Sequence, residues 1–550
     1  MDSQEFTPKL FGLIRGYSWG TFRKDLFAGC TVGVISLPLA MAFAIASGVE
    51  PIRGLYTAMI AGFLISFLGG SRVQIGGPTG AFIIIVYDIV QRTGYEGLCI
   101  STVMASVVLI LLGIFRVGSL IQYIPRSLIV GFTTGLGLFV FSTQIKDFFG
   151  LQMGTPPASF LTKWIAYGYA FPSLNSSTTL LALGTLGLIF IIQKFFPRIP
   201  WGITTIACAS TFAILFHLPV DTIATRFGTI PGQVPFPQIP NFSMLSTHFP
   251  ELVKDALVIA FLGGIESLLS AVIGDEIGGG KHRPNCELIA QGIANASSIF
   301  FGGIPATGAI ARTAANVKTG AQTPVAGIIH SIILALLVFC FAPIISQIPL
   351  AILSAVLVII AWNMSEAHHF FHLLKGPLND RIVLLSAFFL TVFVDITIAI
   401  SISMLLACLI FIKQIFQKSS LIHTTHLPLN KMTIPSSMQM YEIQGPFFFA
   451  STNLLKSLFF APRNSPNICI LRLGKVPIID ASGAHAILTF HKHCQAQGVT
   501  LYLSEIQESV KKDLKHFHVL HTFGEMHILS TLQDVIDCVQ LHDVNNKLTV

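Results

Sequence analysis

Across residues 1–420 the chain alternates long apolar runs with short polar breaks. Leu26–Val49, Ile100–Ile114, Ala321–Asn363 and Ile396–Ile412 contain no Asp, Glu, Lys or Arg. A helix needs ~20 mostly apolar residues to cross a bilayer. The run from Ala321 to Asn363 therefore predicts two spans, with Pro343 and Pro349 at the break. The whole region predicts about fourteen apolar segments. Two of them, near 79–90 and 307–317, are too short to cross as straight helices. They predict half-helices that begin near the membrane centre. After Lys418 the texture changes, with Lys, Asp, Glu and His returning and no run long enough to span. There Met440–Ile443, Ile468–Leu473 and Val499–Leu503 read as strands, and Ala484–Gln497 and Glu508–His516 as helices. That alternation predicts a small α/β domain with a mostly parallel sheet over residues 431–550.

Composition agrees with this division. Charged residues make up 11% of the chain and apolar types 53%, against about 25% charged in soluble domains. The apolar surplus is expected to face lipid. The net charge of +7 sits singly or in pairs between apolar runs, which is the pattern of topology-setting loops rather than of a nucleic-acid surface. Basic loops (Arg23 and Lys24; Arg72; Arg116 and Arg126; Lys194 and Arg198; Lys281 and Arg283; Lys318; Lys375 and Arg381; Lys413 and Lys418) alternate with poorer ones. Both termini are thus expected in the cytoplasm, and the number of spans is even. Seven segments precede the Pro-rich stretch 218–250 and seven follow it. Halves with an odd number of spans insert in opposite senses, so repeat one (about 20–218) and repeat two (about 251–418) are expected to be inverted. The nine Cys show no metal or redox spacing, and no cleavable signal peptide is expected. The His-rich stretch from Glu366 to His372 lacks further ligands of suitable type, so no metal is expected.

Candidate chemistry lies in an echo between the halves. Gly76-Gly77-Pro78-Thr79-Gly80-Ala81 returns, roughly, as Ile304-Pro305-Ala306-Thr307-Gly308-Ala309. Interrupted segments at matching places in two halves mark a binding site in transporters. A half-helix presents free N–H groups and a partial positive charge at its N-terminus, which together make an anion site. Thr79, Gly80 and Ala81 open one half-helix; Thr307, Gly308, Ala309, Ile310 and Ala311 open the other. Arg312 follows directly, in a stretch of small and apolar residues, and adds positive potential. Glu266 interrupts the apolar run Ala256–Ile273. A carboxylate away from water is costly as a bare anion, so Glu266 is expected to take a proton, or Na⁺ with Ser270 one turn along, or to pair with Arg312. Pro38 interrupts the first span and predicts a kinked or broken helix.

These residues resemble the SulP (sulfate permease) family of anion transporters over nearly the whole chain. The resemblance rests on Ser36-Leu37-Pro38-Leu39-Ala40-Met41-Ala42-Phe43-Ala44, on Gly54-Leu55-Tyr56, on Gly77-Pro78-Thr79, and on Ala311-Arg312-Thr313 with Asn316. The tail resembles the family's STAS domain, whose Asp-x-Ser-Gly turn is matched by Asp480-Ala481-Ser482-Gly483. Lys281–Leu288 and Ala361–His368 resemble the bacterial C4-dicarboxylate branch. The resemblance implies seven-plus-seven inverted repeats, a core and a gate, elevator-like motion, a homodimer and the bacterial inner membrane. It implies substrate contacts at Leu39, Phe43, Thr79, Ala309, Ala311 and Arg312, and ion coupling at Glu266. Ser482 matches a Ser that is phosphorylated in related STAS domains. Leu39 and Ala311 depart from the polar residues common elsewhere in the family, which shifts recognition toward backbone amides and Arg312.

The expected function is secondary active transport, not enzymatic catalysis. Small organic anions, namely C4-dicarboxylates such as succinate, fumarate or aspartate, are expected to be taken up with protons and without a cofactor. An Na⁺-coupled bicarbonate or sulfate transporter is the alternative within the family. A membrane sensor or scaffold whose STAS domain binds protein partners is the alternative of another class.

Overall fold

The computed structural model describes residues 5–119, 125–154, 156–157, 159–196, 201–233, 236–241, 243–394, 396–417, 419–424, 438–449, 451–456, 467–524 and 527–538. The chain divides into two compact units, Met1–Leu405 and Leu406–Val550. In the first, repeat one contains α1 (Trp19–Ala46), α2 (Pro51–Leu68), β1 (Gly76–Gly77), α3 (Ile83–Ile114), α4 (Arg126–Phe149), a short α5 (Phe160–Ala170), α6 (Ser176–Phe195) and α7 (Trp201–Leu215). Repeat two contains α8 (Phe249–Gly278), α9 (Pro284–Phe300), β2 (Thr307–Gly308), α10 (Ile310–Lys318), α11 (Val325–Ser346), α12 (Leu350–Met364), a short α13 (Ala367–Leu373), α14 (Leu378–Phe393) and α15 (Ile396–Gln417), the last crossing the boundary between the units. Among the described residues, eight helices are long and apolar enough to cross a membrane.

Several expectations need physical correction. Pro38 does not break α1, which runs unbroken through it. Pro343 likewise lies inside α11, and the break falls at Pro349, the N-cap of α12. A proline interrupts only its own bond to the carbonyl four residues back, and close neighbours hold the rest of the helix. The sharp change comes at Gly94, where φ 69° and ψ −175° divide α3 into two limbs. Only glycine takes that conformation cheaply. Helix α5 lies in a segment with no expected element.

With α3 counted as two limbs, the packing shows an exchange between repeats. The first and second helices of repeat two, α8 and α9, pack on α3, and their counterparts α1 and α2 pack on α11. Helix α4 packs on α14 as α12 packs on α6, and α4 and α12 pack on each other. Such reciprocal contacts are what a pseudo-twofold axis generates. Gly29 and Gly33 of α1 sit against Ile329 and Ile333 of α11, and Gly113 and Gly292 mark the equivalent seam between α3 and α9. Small residues let helices approach closely where lipid supplies no hydrophobic drive.

The second unit carries a five-stranded sheet of order β3 (Ser420–Thr424), β4 (Met438–Gln444), β5 (Ile468–Lys475), β6 (Thr500–Ser504) and β7 (Ile528–Leu529). All neighbours are parallel except the β3–β4 pair. Helices α16 (Ala481–Ala496) and α17 (Glu508–His516) cover it, burying Ile487, Phe490, Val510 and Leu514 against Leu471, Leu473 and Leu501. Asp480 caps α16, its Oδ1 accepting from the Gly483 N–H at 2.7 Å. Ser482 is exposed in the first turn of α16.

Lys163 of α5 is completely buried, and its ammonium has no hydrogen-bond partner. It stands 3.8 Å from the Phe139 ring centroid and 5.7 Å from that of Tyr87. Burial pushes this amine from 10.5 down to about 7. The unfolded chain holds the proton up to about pH 10.4, so stability rises with pH between roughly 7 and 10. Lys163→Met removes that cost. The variant is expected to gain about 2 °C or more in thermal midpoint at pH 6.5, with a smaller gain at pH 9.5. An equal gain at both pH values would show that packing, not the buried charge, is responsible.

Candidate functional site

Strands β1 and β2 form a two-stranded antiparallel sheet, with Gly76 opposite Gly308 and Gly77 opposite Thr307. The echoed segments of the two repeats are therefore hydrogen-bonded to each other. Each leads directly into a helix start. After β1, Thr79 (φ −129°, ψ 158°) precedes the turn Gly80–Phe82 and then α3. After β2, Ala309 is the N-cap of α10. The first N–H groups of each helix lack intrahelical acceptors, so Gly80 and Ala81 on one side face Ile310, Ala311 and Arg312 on the other. The Ala309 N–H is not among them, because it donates to the Ile75 carbonyl at 2.8 Å.

The sheet leaves no room for larger residues. A Cβ on Gly76 would enter the Ile65 side chain, and one on Gly308 would collide with the Gln74 amide. Gly77 has φ 147°, and a Cβ there would meet Arg312 Nη1 at 2.8 Å. The Arg312 guanidinium thus lies directly beneath β1. Its Nη2 donates to the Pro78 carbonyl, while Nη1 is buried without a partner. An Arg from repeat two consequently braces the break in repeat one and keeps one donor unused.

A cavity of about 560 Å³ opens in front of these termini. Leu39 and Phe43 of α1 line it, with Thr79, Gly80, Ala309, Ile310, Ala311, Arg312 and Glu266. Ala81 and Gly308 line it too, so the structure brings together eleven of the residues singled out by sequence. The Thr79 hydroxyl has no partner. Glu266, only 8% exposed, has no hydrogen bond or ion pair among the described residues, and so does not pair with Arg312. Ser270 does not line the cavity. It is fully buried, its hydroxyl 2.9 Å from Thr313 Oγ1, which also accepts from the Ile75 N–H at 3.1 Å.

Behind the site runs a polar network that sequence reasoning missed. Gln74 Nε2 donates to Ser267 Oγ at 3.0 Å, and Ser267 Oγ to Glu287 Oε1 at 3.1 Å. Gln291 Nε2 also reaches Glu287, whose other oxygen accepts from the Gly70 N–H at 2.9 Å. Asn295 closes the network on both backbone groups of Ala306, just before β2. Also missed were Thr133, Trp201, Asn363, Met364 and Glu366, which line the same cavity. They come from α4, α7 and the α12–α13 junction, segments with no echo to point at them.

Inverted repeats of this kind, interrupted so that two helix N-termini and a buried Arg meet, define a membrane transporter of small anions. The comparisons with known proteins give its family. The chain belongs to the sulfate permease family, whose model matches residues 22–387, and a STAS domain matches residues 431–535. It is 39% identical over 520 residues, 94% of this chain and 97% of the relative, to YvdB of Bacillus subtilis (strain 168), whose name marks it as a candidate sulfate transporter. It is 29% identical to the bicarbonate transporter BicA of Picosynechococcus sp. (strain ATCC 27264 / PCC 7002 / PR-6), over 71% of this chain and 70% of that one. In structure it resembles the murine Solute Carrier 26 family member A9 anion transporter in the inward-facing state, with TM-score 0.85 at 19% identity over 98% of this chain and 94% of that one. The transmembrane domain of a cyanobacterial BicA superposes with TM-score 0.63 at 26% identity, covering 71% of this chain and 98% of that domain. The protein is thus a multi-pass membrane transporter and not an enzyme.

The sheet can be tested directly. Gly308→Ala is expected to cost about 1–3 kcal/mol through overpacking on Gln74 and to weaken anion binding in isothermal titration. Gly187→Ala, on an α6 face with open space around it, should leave binding unchanged. If Gly308→Ala binds anions as the parent does, the paired strands do not set the site.

Proposed function

We propose that the protein takes up C4-dicarboxylates (succinate, fumarate or aspartate) together with protons, by an elevator-like movement of the paired repeats. The observation that carries this reading is the β1–β2 pairing, which aims two helix N-termini and Arg312 into one cavity beside an unpaired Glu266. The cavity chemistry supports an organic anion. Val32, Ile35, Leu39, Phe43 and Ile360 give it apolar walls, which favour a carbon chain and offer nothing to a fully polar oxyanion. The N-terminal N–H groups and Arg312 Nη1 suit carboxylate oxygens. Glu266 carries the coupling proton: protonated, it no longer repels the incoming anion.

On this reading both termini lie in the cytoplasm, in the inner membrane of a bacterium, and the cavity opens to the cytoplasm past Lys318. The protein works as a homodimer, and Ser482 offers a regulatory point on the STAS domain. The names of YvdB and BicA favour a second reading, sulfate or Na⁺-coupled bicarbonate. Swapping Na⁺ for choline at constant pH separates the two.

Reconstituted protein is expected to accumulate labelled succinate under an inward proton gradient, and to stop when the gradient is collapsed. Glu266→Gln should abolish accumulation while leaving succinate exchange within about threefold of the parent, because only the protonation step is removed. Undiminished accumulation in Glu266→Gln would remove that residue from coupling.

A further inference from the structure

The cavity carries a second carboxylate that the transport mechanism above does not use. Glu366 lies between α12 and α13, lines the same cavity, and acts electrostatically on Glu266. Its backbone is left-handed, with φ 42° and ψ 37°. Non-glycine residues adopt that conformation at a cost and keep it when the surroundings fix it, often at working sites. Here the surroundings do so on both sides. The preceding carbonyl, Ser365 O, accepts from Thr134 Oγ1 of α4, and the Glu366 carbonyl starts α13 by accepting from the Phe370 N–H at 3.0 Å. The side chain then reaches His369, with Oε2 3.2 Å from Nδ1. Both side chains are partly exposed, at 36% and 50%. The three groups form a graded series: Glu266 buried, Glu366 at the rim, His369 largely in water.

Among the described residues that line the cavity, the other elements add no carboxylate or imidazole, while α13 itself carries His368 and His372 besides His369. Helix α10 offers the cations Arg312 and Lys318, α4 offers Thr133, α7 offers Trp201, and α12 offers Asn363 and Met364. A proton leaving Glu266 therefore meets Glu366 as its next base.

We propose that Glu366 is the group through which the coupling proton leaves Glu266. This rests on the proton-coupled reading above. The Glu266 acid O–H gives its proton, through water in the cavity, to the Glu366 carboxylate. Glu366 passes it to the imidazole of His369, and the imidazolium releases it to bulk water. Charge and protons balance, and each acceptor returns to its starting state.

The test uses the full chain in proteoliposomes and compares gradient-driven succinate accumulation with succinate exchange. Glu366→Gln should slow accumulation by about tenfold or more, in line with loss of a positioned proton carrier, and keep exchange within about twofold. Its accumulation should also lose the parent's dependence on pH at the receiving side. Glu366→Asp keeps the carboxylate and should restore both. Parent-like accumulation and pH dependence in Glu366→Gln would overturn the proposal. So would equal losses of exchange and accumulation in both variants, which would make Glu366 a structural element of the gate. If the parent itself ignores the proton gradient, the coupling reading fails first, and that outcome is visible in the parent arm alone.

Discussion

Everything at the site depends on four residues of backbone pairing, Gly76–Gly77 with Thr307–Gly308. A helix that stops inside a membrane leaves N–H and C=O groups without partners, and irregular backbone is tolerated there only when protein buries it. The two broken segments solve this for each other. Their strands share hydrogen bonds, the Ala309 N–H goes to Ile75, and the Asn295 amide takes both backbone groups of Ala306. What remains unpaired is the first turn of each helix, pointing into the cavity. The proposed anion site is what hydrogen-bonding capacity is left over after the break has been satisfied.

That constraint explains the residue choices around it. Glycines are required in the strands because Ile65, Gln74 and Arg312 press on them. Ser270 and Thr313 are polar because the Ile75 N–H needs an acceptor deep in the core, which is also why Ser270 is unavailable to the cavity. Arg312 is placed beneath β1 rather than against Glu266. The separation matters. An Arg–Glu pair would neutralise both groups, whereas here the cation keeps a free donor and the carboxylate stays free to take a proton.

The membrane spans, the inverted halves and the paired half-helices were legible in the sequence because each rests on periodicity or length. Apolar runs set the helices, and the Thr-Gly-Ala echo located the breaks. The strands that join the breaks were not legible, since two-residue strands of glycine and threonine carry no alternation to read. Pro38 and Pro343 misled for a related reason: a proline signals a lost hydrogen bond, and tertiary packing decides whether the helix yields. Glu287 was invisible because it follows Lys281 and Arg283 and looks like one more loop charge, although it is fully buried under the Gly70 N–H.

The same reasoning separates two groups of residues around the cavity. The echoed segments supply the two helix N-termini of the proposed binding site, one from each half, whereas Arg312 and Glu266 come from repeat two alone. The other lining residues come from α4, α7 and the α12–α13 junction; α4 and α12 are counterparts in the two repeats, but they line the cavity with different residues, Thr133 from the first and Asn363 and Met364 from the second. Glu366, with its left-handed backbone and its His369 partner, has no counterpart among the described residues of repeat one that line the cavity. On the proton-coupled reading the gradient sets the direction of transport, and Glu366 with His369 gives the exchange with water a path that the lining residues of repeat one do not duplicate.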